Sequence, residues 1–250
     1  MFGVSHPPII FAHRGARLHA PENTLAAFEL ARAEGADGIE LDAKLTADGE
    51  IVVFHDATLE RTTNGSGAVA ARTLAELREL DAGGWFSAEY RGQKIPLLEE
   101  VFDALGDKLL INVELKNYAT PGDYLVETVC ALVARCGLDK RVVFSSFLGH
   151  NLKKAGRILP SVPRALLALP GWKGAWARSF GFAFGDYASL NSSIRDVDVP
   201  QVKRVHRLSR SIMVWTVNQP DDMLRLQRWG VDGILTDDPG LAAQVLGRSV

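Results

Sequence analysis

The chain has 250 residues, 47% of them hydrophobic, which is enough for one large core and matches the usual size of a single α/β barrel domain. Its formal net charge of -2 provides no general basic field, which argues against non-specific binding to nucleic acid. With only two cysteines, the sequence carries neither a disulfide framework nor a cysteine-rich zinc site.

The longest stretch without a charged side chain runs from Met1 to His13. It is shorter than the roughly 18 apolar residues that a membrane span needs. It also lacks the basic start and the small-residue cleavage site of a secretory signal. We therefore expect a soluble, cytoplasmic protein without stable membrane insertion; the sequence does not predict its oligomeric state.

Short apolar runs rich in β-branched residues alternate with amphipathic stretches, a pattern typical of parallel βαβ units. The predicted strands are 9–12, 38–43, 109–115, 141–145, 164–168, 187–190, 212–216 and 233–235, with a further extended piece over 50–54. Helical patterns cover about 22–35, 122–136, 148–158, 198–209 and 220–229. The first helix is predicted to start at Pro21-Glu22-Asn23-Thr24, from about Glu22, and to stop at Gly35, as capping preferences indicate.

Eight strands and a closing helix predict a fold of the α/β class, a (β/α)8 TIM barrel, with residues 1–250 forming one domain. The main alternative is an open doubly wound sheet. No glycine-rich dinucleotide turn follows the first strand, so the barrel is favoured.

The region of about 56–96, after the second strand, interrupts this alternation. Residues 62–67 are of types typical of turns, and residues 73–80 have the pattern of a short capped helix. We interpret the region as an insertion on the catalytic rim. The alternative is a small structural subdomain without contact to substrate.

Aromatic residues interleave with glycines between 172 and 187, where the alternation of strands and helices is weakest. Trp172, Trp176 and Phe180 share one helical face through their spacing of four residues. Two interpretations stay open, namely core packing and an aromatic wall or lid that receives the alcohol part of a substrate.

Two predicted strands carry ionisable side chains two residues apart, and such residues point to the same face of a strand. Glu40 and Asp42 form the first pair, and Glu114 and Lys116 form the second. Burying three carboxylates together would cost several kcal/mol unless a cation were present. We therefore predict one divalent cation, Mg²⁺ or Ca²⁺, because hard cations prefer carboxylate oxygens; zinc is less favoured.

Residues just after barrel strands are candidates for chemistry, because parallel barrels present their catalytic groups there. Arg14 and Lys116 could neutralise phosphate oxygens. His13 and His55 follow strands and suit acid–base catalysis near neutral pH. Trp215, at the end of the seventh strand, is a candidate for substrate contact. The remaining histidines are interpreted as ordinary loop, surface or cap residues: His6, His19, His150 and His206.

Seven motifs occur in order and at suitable spacing: His13-Arg14-Gly15, Pro21-Glu22-Asn23-Thr24, Glu40-Leu41-Asp42, His55-Asp56, Glu114-Leu115-Lys116, Trp215-Thr216-Val217-Asn218, and Gly230 to Asp237. Over about residues 9–245, the sequence resembles the glycerophosphodiester phosphodiesterase family. The resemblance implies a TIM barrel with a small insertion after the second strand. It also implies metal ligation by Glu40, Asp42 and Glu114, phosphate contact by Arg14 and Lys116, and acid–base catalysis by His13 and His55.

The resemblance further implies attack on phosphorus by the free 2-hydroxyl of the glycerol, giving a cyclic phosphate that water then opens. We assign His13 as the base and His55 as the acid of the first step. The products would be glycerol 3-phosphate and an alcohol such as choline or ethanolamine.

One departure concerns residues 165–169, which are wholly apolar where members of the family often carry an acid or a histidine. An apolar wall with aromatics could favour choline through cation–π contact, or a lipid chain. The alternatives to hydrolysis of small glycerophosphodiesters are therefore a lysophospholipase D activity and a non-catalytic barrel that binds phosphodiesters. Two candidate catalytic imidazoles argue against the latter.

Overall fold

The computed structural model describes residues 7–248. His6 and the start of the uncharged N-terminal stretch lie outside that range. The strands are β1 (Ile9–His13), β2 (Gly38–Leu45), β3 (Ile51–Val53), β4 (Leu110–Leu115), β5 (Val142–Ser146), β6 (Arg164–Leu167), β7 (Ser189–Ser193), β8 (Ser211–Trp215) and β9 (Gly233–Thr236).

Eight of these strands form a closed parallel ring, which confirms the predicted (β/α)8 barrel. Neighbours in the ring follow the order β1, β2, β4, β5, β6, β7, β8 and β9, and β9 pairs with β1 to close it. Strand β3 lies outside the ring and runs antiparallel to β2. The predicted extended piece over 50–54 is therefore an extra strand just before the insertion.

Strand β7 is displaced towards higher residue numbers relative to the predicted 187–190. Its sequence is Ser-Leu-Asn-Ser-Ser, and all five residues are buried. Buried parallel strands usually read as apolar runs, so a polar strand gives little signal in the sequence. Ring closure against β6 and β8 makes it a strand.

Helices follow the ring strands and, apart from a short one in the insertion, cover the outside of the barrel. They are α1 (Leu25–Ala33), α2 (Leu74–Arg78), α3 (Leu98–Leu105), α4 (Leu125–Cys136), α5 (Gly149–Ile158), α6 (Phe182–Phe184), α7 (Val199–Arg207), α8 (Pro220–Trp229) and α9 (Pro239–Val245). Helix α1 is shorter than predicted and begins after Thr24, whose side chain accepts a hydrogen bond from the backbone N–H of Ala27. Helix α2 has a complete capping box between Thr73 and Glu76, as its sequence predicted.

The main core lies between the ring and its helices, as expected when side chains alternate along strands that are buried on both faces. The insertion has a separate apolar cluster in which Phe54, Leu59 and Leu77 pack with Val52 of β3. Among residues 7–248, every helix is too short or too polar to cross a lipid bilayer.

Core packing is the wrong interpretation for the three aromatic residues that share a helical face between 172 and 187. Trp172, Trp176 and Phe180 expose 83%, 69% and 67% of their surface, and Phe184, one turn on, exposes 85%. The segment is helical, with a 3-10 turn at Gly171–Gly174, a π-helical turn at Ala177–Gly181 and then α6. The three rings therefore share one face of the segment as predicted, and that face is exposed to solvent.

Strand β2 passes so close to its neighbours that its first residue must lack a side chain. A Cβ at Gly38 would lie 2.6 Å from the backbone oxygen of Leu110 and 2.6 Å from the ring of Phe11. We expect Gly38→Ala to lower the free energy of unfolding by about 2 kcal/mol through overpacking. Chemical denaturation measures this change. Gly122→Ala is the control, because a Cβ there meets nothing within 4 Å; an equal loss in both variants would contradict the prediction.

Candidate active site

Three carboxylates meet where β2 and β4 lie side by side in the ring. Glu40 and Asp42 share one face of β2, and Asp42 is the register partner of Glu114 on β4. One oxygen from each carboxylate lies within 4.8 Å of the other two, and all three residues are buried. The predicted acidic cluster is therefore assembled by two neighbouring strands.

Mutual repulsion and burial perturb the ionisation of this cluster. Burial raises the pKa of Glu40 well above its ordinary value, and the charges of Asp42 and Glu114 add to the effect. Burial and Asp42 likewise raise the pKa of Glu114. Burial opposes ionisation of Asp42 as well, but Lys116 and Arg14 hold its pKa well below the ordinary range. A donor set of crowded, buried, hard oxygens fits a divalent cation such as Mg²⁺ or Ca²⁺.

Two cations border the cluster. The Nζ of Lys116 lies 3.1 Å from Asp42 Oδ1 and 3.3 Å from Glu114 Oε1. The Nε of Arg14 lies 3.5 Å from Asp42 Oδ2. Asp42 and Glu114 raise the pKa of Lys116 although its burial acts in the opposite direction, so the lysine stays charged. Both cations lie beside the carboxylates, where they could also contact an anionic ligand.

The turn after β1 fixes the position of Arg14. Its backbone has a φ of 60° in the left-handed region, and its N–H donates to the backbone oxygen of Glu40 over 2.9 Å. Gly15 follows with a φ of 86°, and a Cβ there would lie 2.7 Å from the backbone of Ala27. Such conformations persist only where surrounding contacts impose them, and they cluster at functional sites.

His13 is held by a carboxylate from the opposite end of the sequence. Its Nδ1 lies 2.8 Å from Asp237 Oδ1. A carboxylate can only accept, so Nδ1 donates and Nε2 is left to exchange a proton. The amide of Asn218 donates to Asp237 Oδ2 over 2.8 Å and fixes that carboxylate. Burial lowers the pKa of His13, whereas the hydrogen bond to Asp237 acts to raise it.

His55 has a similar arrangement that reaches into the insertion. Its Nδ1 donates to Asp56 Oδ1 over 2.5 Å, and Arg61 Nε donates to Asp56 Oδ2 over 2.5 Å. Arg61 also binds both oxygens of Glu22, at 2.7 and 3.0 Å. Burial opposes ionisation of Asp56, but Arg61 and His55 lower its pKa to about 2. The insertion therefore contacts the site through Arg61.

Burial also lowers the pKa of His55, and the charge of Asp42 acts against that shift. Both imidazoles are thus favoured in the neutral form relative to an exposed histidine. Each has one nitrogen bound to an ionised carboxylate, which fixes its ring orientation.

A cavity of about 220 Å³ joins these groups. The two histidines, Arg14, Lys116, Glu40 and Glu114 line it together with Asn112, Ser145, Phe147, Leu167, Trp215 and Leu235. Trp215 packs edge-to-face on Phe147, with ring centroids 5.8 Å apart. All candidate residues predicted from the sequence therefore lie at or beside one cavity, with Asp42 just behind its lining.

Several supporting residues were not assigned from the sequence. Asp56 and Asn218 are candidates because they follow predicted strands, and Glu22 and Asp237 stand in the quoted motifs, but the sequence gave none of the four a role. Arg61 stands in the insertion without any motif, and no local signal could have found it. Its importance depends on a fold that brings residues 22, 56 and 61 together.

The other histidines lie where the sequence predicted them, as far as the structure describes them. His150 is in α5 and His206 is in α7, where its Nε2 lies 2.9 Å from Asp232. His19 is exposed in a loop.

Comparisons with known proteins agree with this geometry. Residues 13–241 match the family model described as the glycerophosphoryl diester phosphodiesterase family. The chain is 38% identical to the glycerophosphodiester phosphodiesterase of Caldanaerobacter subterraneus over 232 residues, covering 92% of this chain and 94% of that protein.

Solved structures give the same result. A glycerophosphodiester phosphodiesterase from Agrobacterium tumefaciens superposes with a TM-score of 0.82 at 32% identity, covering 95% of this chain and 99% of that one. A phosphodiesterase from Oleispira antarctica, in complex with the product sn-glycerol-3-phosphate, superposes with a TM-score of 0.81 at 33% identity, covering 96% and 97%. By fold, by the match over nearly its whole length and by these relatives, the chain belongs to the glycerophosphoryl diester phosphodiesterase family.

Proposed function

We propose that this enzyme hydrolyses glycerophosphodiesters such as glycerophosphocholine and glycerophosphoethanolamine, in a metal-dependent reaction that yields glycerol 3-phosphate and an alcohol. The observation that carries the proposal is one cavity bordered by three buried carboxylates, two cations and two carboxylate-bound histidines. The product bound by the Oleispira antarctica relative supports the substrate class.

Glu40, Asp42 and Glu114 would hold one divalent cation, Mg²⁺ or Ca²⁺. The bound cation would withdraw charge from a phosphate oxygen and make phosphorus more electrophilic. The crowding of the three carboxylates, which raises the pKa of Glu40, supports this role.

Arg14 and Lys116 would bind the remaining phosphate oxygens. A guanidinium offers a planar fork and an ammonium a point charge, so the two together orient a tetrahedral anion. Trp215 and Phe147 form an apolar wall of the same cavity, against which the carbon atoms of the substrate would pack.

His13 would accept the proton of the glycerol 2-hydroxyl while that oxygen attacks phosphorus, and His55 would donate a proton to the departing alcohol. Their roles would then reverse as water opens the cyclic phosphate. An internal nucleophile is favoured over bulk water because it is already in position. Asp237 and Asp56 are positioning residues in this proposal, since each fixes the nitrogen that faces away from substrate.

A second candidate is hydrolysis of lysophospholipids. A groove of about 890 Å³ adjoins the catalytic cavity, because Phe147 and Leu167 line both, and Trp176 and Phe184 lie along it. This placement of the aromatic segment is what a lysophospholipase D activity would require. Comparing glycerophosphocholine with lysophosphatidylcholine as substrates separates the two candidates.

Glycerophosphocholine should be cleaved to glycerol 3-phosphate in the presence of Mg²⁺ or Ca²⁺ and not in the presence of a chelator. We expect His13→Ala and Glu114→Ala each to lower turnover at least about 100-fold while the fold is retained. An enzyme-coupled assay of glycerol 3-phosphate measures this. Glu99→Ala, which removes an exposed partner of Arg135, is the control. Failure of every divalent ion to support turnover, or a near-native rate in His13→Ala, would refute the proposal.

Cation binding should also raise the free energy of unfolding of the protein. Saturating Mg²⁺ or Ca²⁺ should stabilise the folded protein by about 3 kcal/mol at a hundredfold excess over Kd. Glu40→Gln should lose most of this gain, yet be no less stable than the parent in chelator, because the substitution removes repulsion. Thermal unfolding with and without the cation provides the measurement. An equal cation-induced shift in both proteins would show that Glu40 is not a ligand.

The acid and base can be distinguished by pH profiles. Burial lowers the pKa of His55 and of His13, and the hydrogen bonds that they donate to Asp56 and Asp237 act against this shift, so each Asp→Asn substitution should lower the pKa of its own histidine further. If His55 is the acid, Asp56→Asn moves the alkaline limb of kcat/KM to lower pH. If His13 is the base, Asp237→Asn moves the acidic limb to lower pH. The opposite pairing of variants and limbs would exchange the two roles.

A further inference from the structure

The 169–184 segment, which follows β6, carries an unusual concentration of exposed aromatic surface. Its four exposed rings are those of Trp172, Trp176, Phe180 and Phe184, and Leu169 before them is 43% exposed. The rings recur every fourth residue along a helical stretch, so they form one row. Phe180 and Phe184 stack on each other, with centroids 6.2 Å apart and planes at 3°. Exposed apolar patches of this kind mark interaction sites.

The outward orientation of this row is imposed by the opposite side of the segment. Arg178 donates to the backbone oxygens of Leu169 and Gly171, each over 2.6 Å, and reaches Asp196 at 3.3 Å. Phe182 is buried in the main core, and Arg210 donates to its backbone oxygen over 2.5 Å. The segment is thus fixed to the barrel by its inner face, and its outer face is aromatic.

Cations without acidic partners accompany the aromatic row. Lys153 and Arg157 on α5, and Lys173 within the segment, line the groove beside Trp176 and Phe184. Within residues 7–248 none of the three has an ion pair, and the nearby acids are engaged elsewhere, Asp186 with Arg164 and Asp196 with Arg178. The face is therefore locally positive on a chain whose net charge is -2.

We propose that the 169–184 segment, together with Lys153 and Arg157, docks the enzyme reversibly on a lipid surface that carries anionic headgroups. Helical segments with Trp and Phe on one side and basic residues beside them lie in the interface of a bilayer, where the rings enter the headgroup boundary. Each nearby Lys or Arg adds attraction to anionic lipid. The groove beside the segment shares Phe147 and Leu167 with the cavity at the mouth of the barrel, so docking places the lipid surface next to that mouth.

A second copy of the chain is the other occupant to consider. A two-fold dimer would place the same patch on both subunits, and Lys153, Arg157 and Lys173 of each copy would then face like charges. Anionic headgroups neutralise these cations, so charge complementarity favours lipid over self-association.

Sedimentation with vesicles tests the proposal without any turnover, so it is independent of the proposed function. We expect the protein to bind vesicles of phosphatidylcholine with about 30% phosphatidylglycerol, and to bind pure phosphatidylcholine at least about tenfold more weakly.

Trp172→Ser/Phe180→Ser should lower binding to the anionic vesicles about tenfold or more. The matched control is Leu208→Ser/Leu224→Ser, which removes exposed apolar residues after the end of α7 and within α8, neither of which lines the groove. Circular dichroism checks the fold of each variant.

Charge reversal tests the second element of the surface. Lys153→Glu/Lys173→Glu should lower binding to the anionic vesicles about tenfold or more. Lys108→Glu/Lys140→Glu is the control, since these lysines precede β4 and β5 at the opposite end of the barrel and should leave binding unchanged. Absence of vesicle binding by the parent protein, or equal binding by parent and Trp172→Ser/Phe180→Ser, would overturn the proposal. Analytical ultracentrifugation tests the dimer. If the parent protein self-associates and Trp172→Ser/Phe180→Ser does not, the lipid proposal is overturned in favour of a dimer interface.

Discussion

The repulsion among three buried carboxylates at one end of the barrel is the constraint on which the rest of the site depends. Glu40, Asp42 and Glu114 lie close enough to share one ion, and burial together with their mutual charge raises the pKa of two of them. Lys116 and Arg14 offset part of that cost by ion pairing with Asp42. A purely structural core would not group these charges, so the grouping is evidence of a binding function.

Next to this cluster, each histidine is fixed by a chain of two hydrogen bonds. Asn218 donates to Asp237, which accepts from His13. Arg61 donates to Asp56, which accepts from His55. The first chain joins the two ends of the sequence where the ring closes between β1 and β9, and the second joins the barrel to the insertion. Ring closure and attachment of the insertion therefore determine the orientation of the two histidines.

The groove and the aromatic row extend the same face of the molecule. Leu167 and Phe147 line both the cavity at the mouth of the barrel and the groove, so the two are adjacent. The proposed docking on lipid would use this row and would bring the mouth of the barrel close to the lipid surface.

The sequence by itself determined the barrel and the acidic cluster, because strand periodicity of two places Glu40 with Asp42 and Glu114 with Lys116 whatever the surroundings. It also located His13 and His55 at strand ends. Only the tertiary structure decided the polar strand β7, the role of Arg61 and the outward direction of Trp172, Trp176 and Phe180. Periodicity fixes which residues share a face, but what that face meets depends on elements distant in the sequence, and those contacts exist only once the ring has closed.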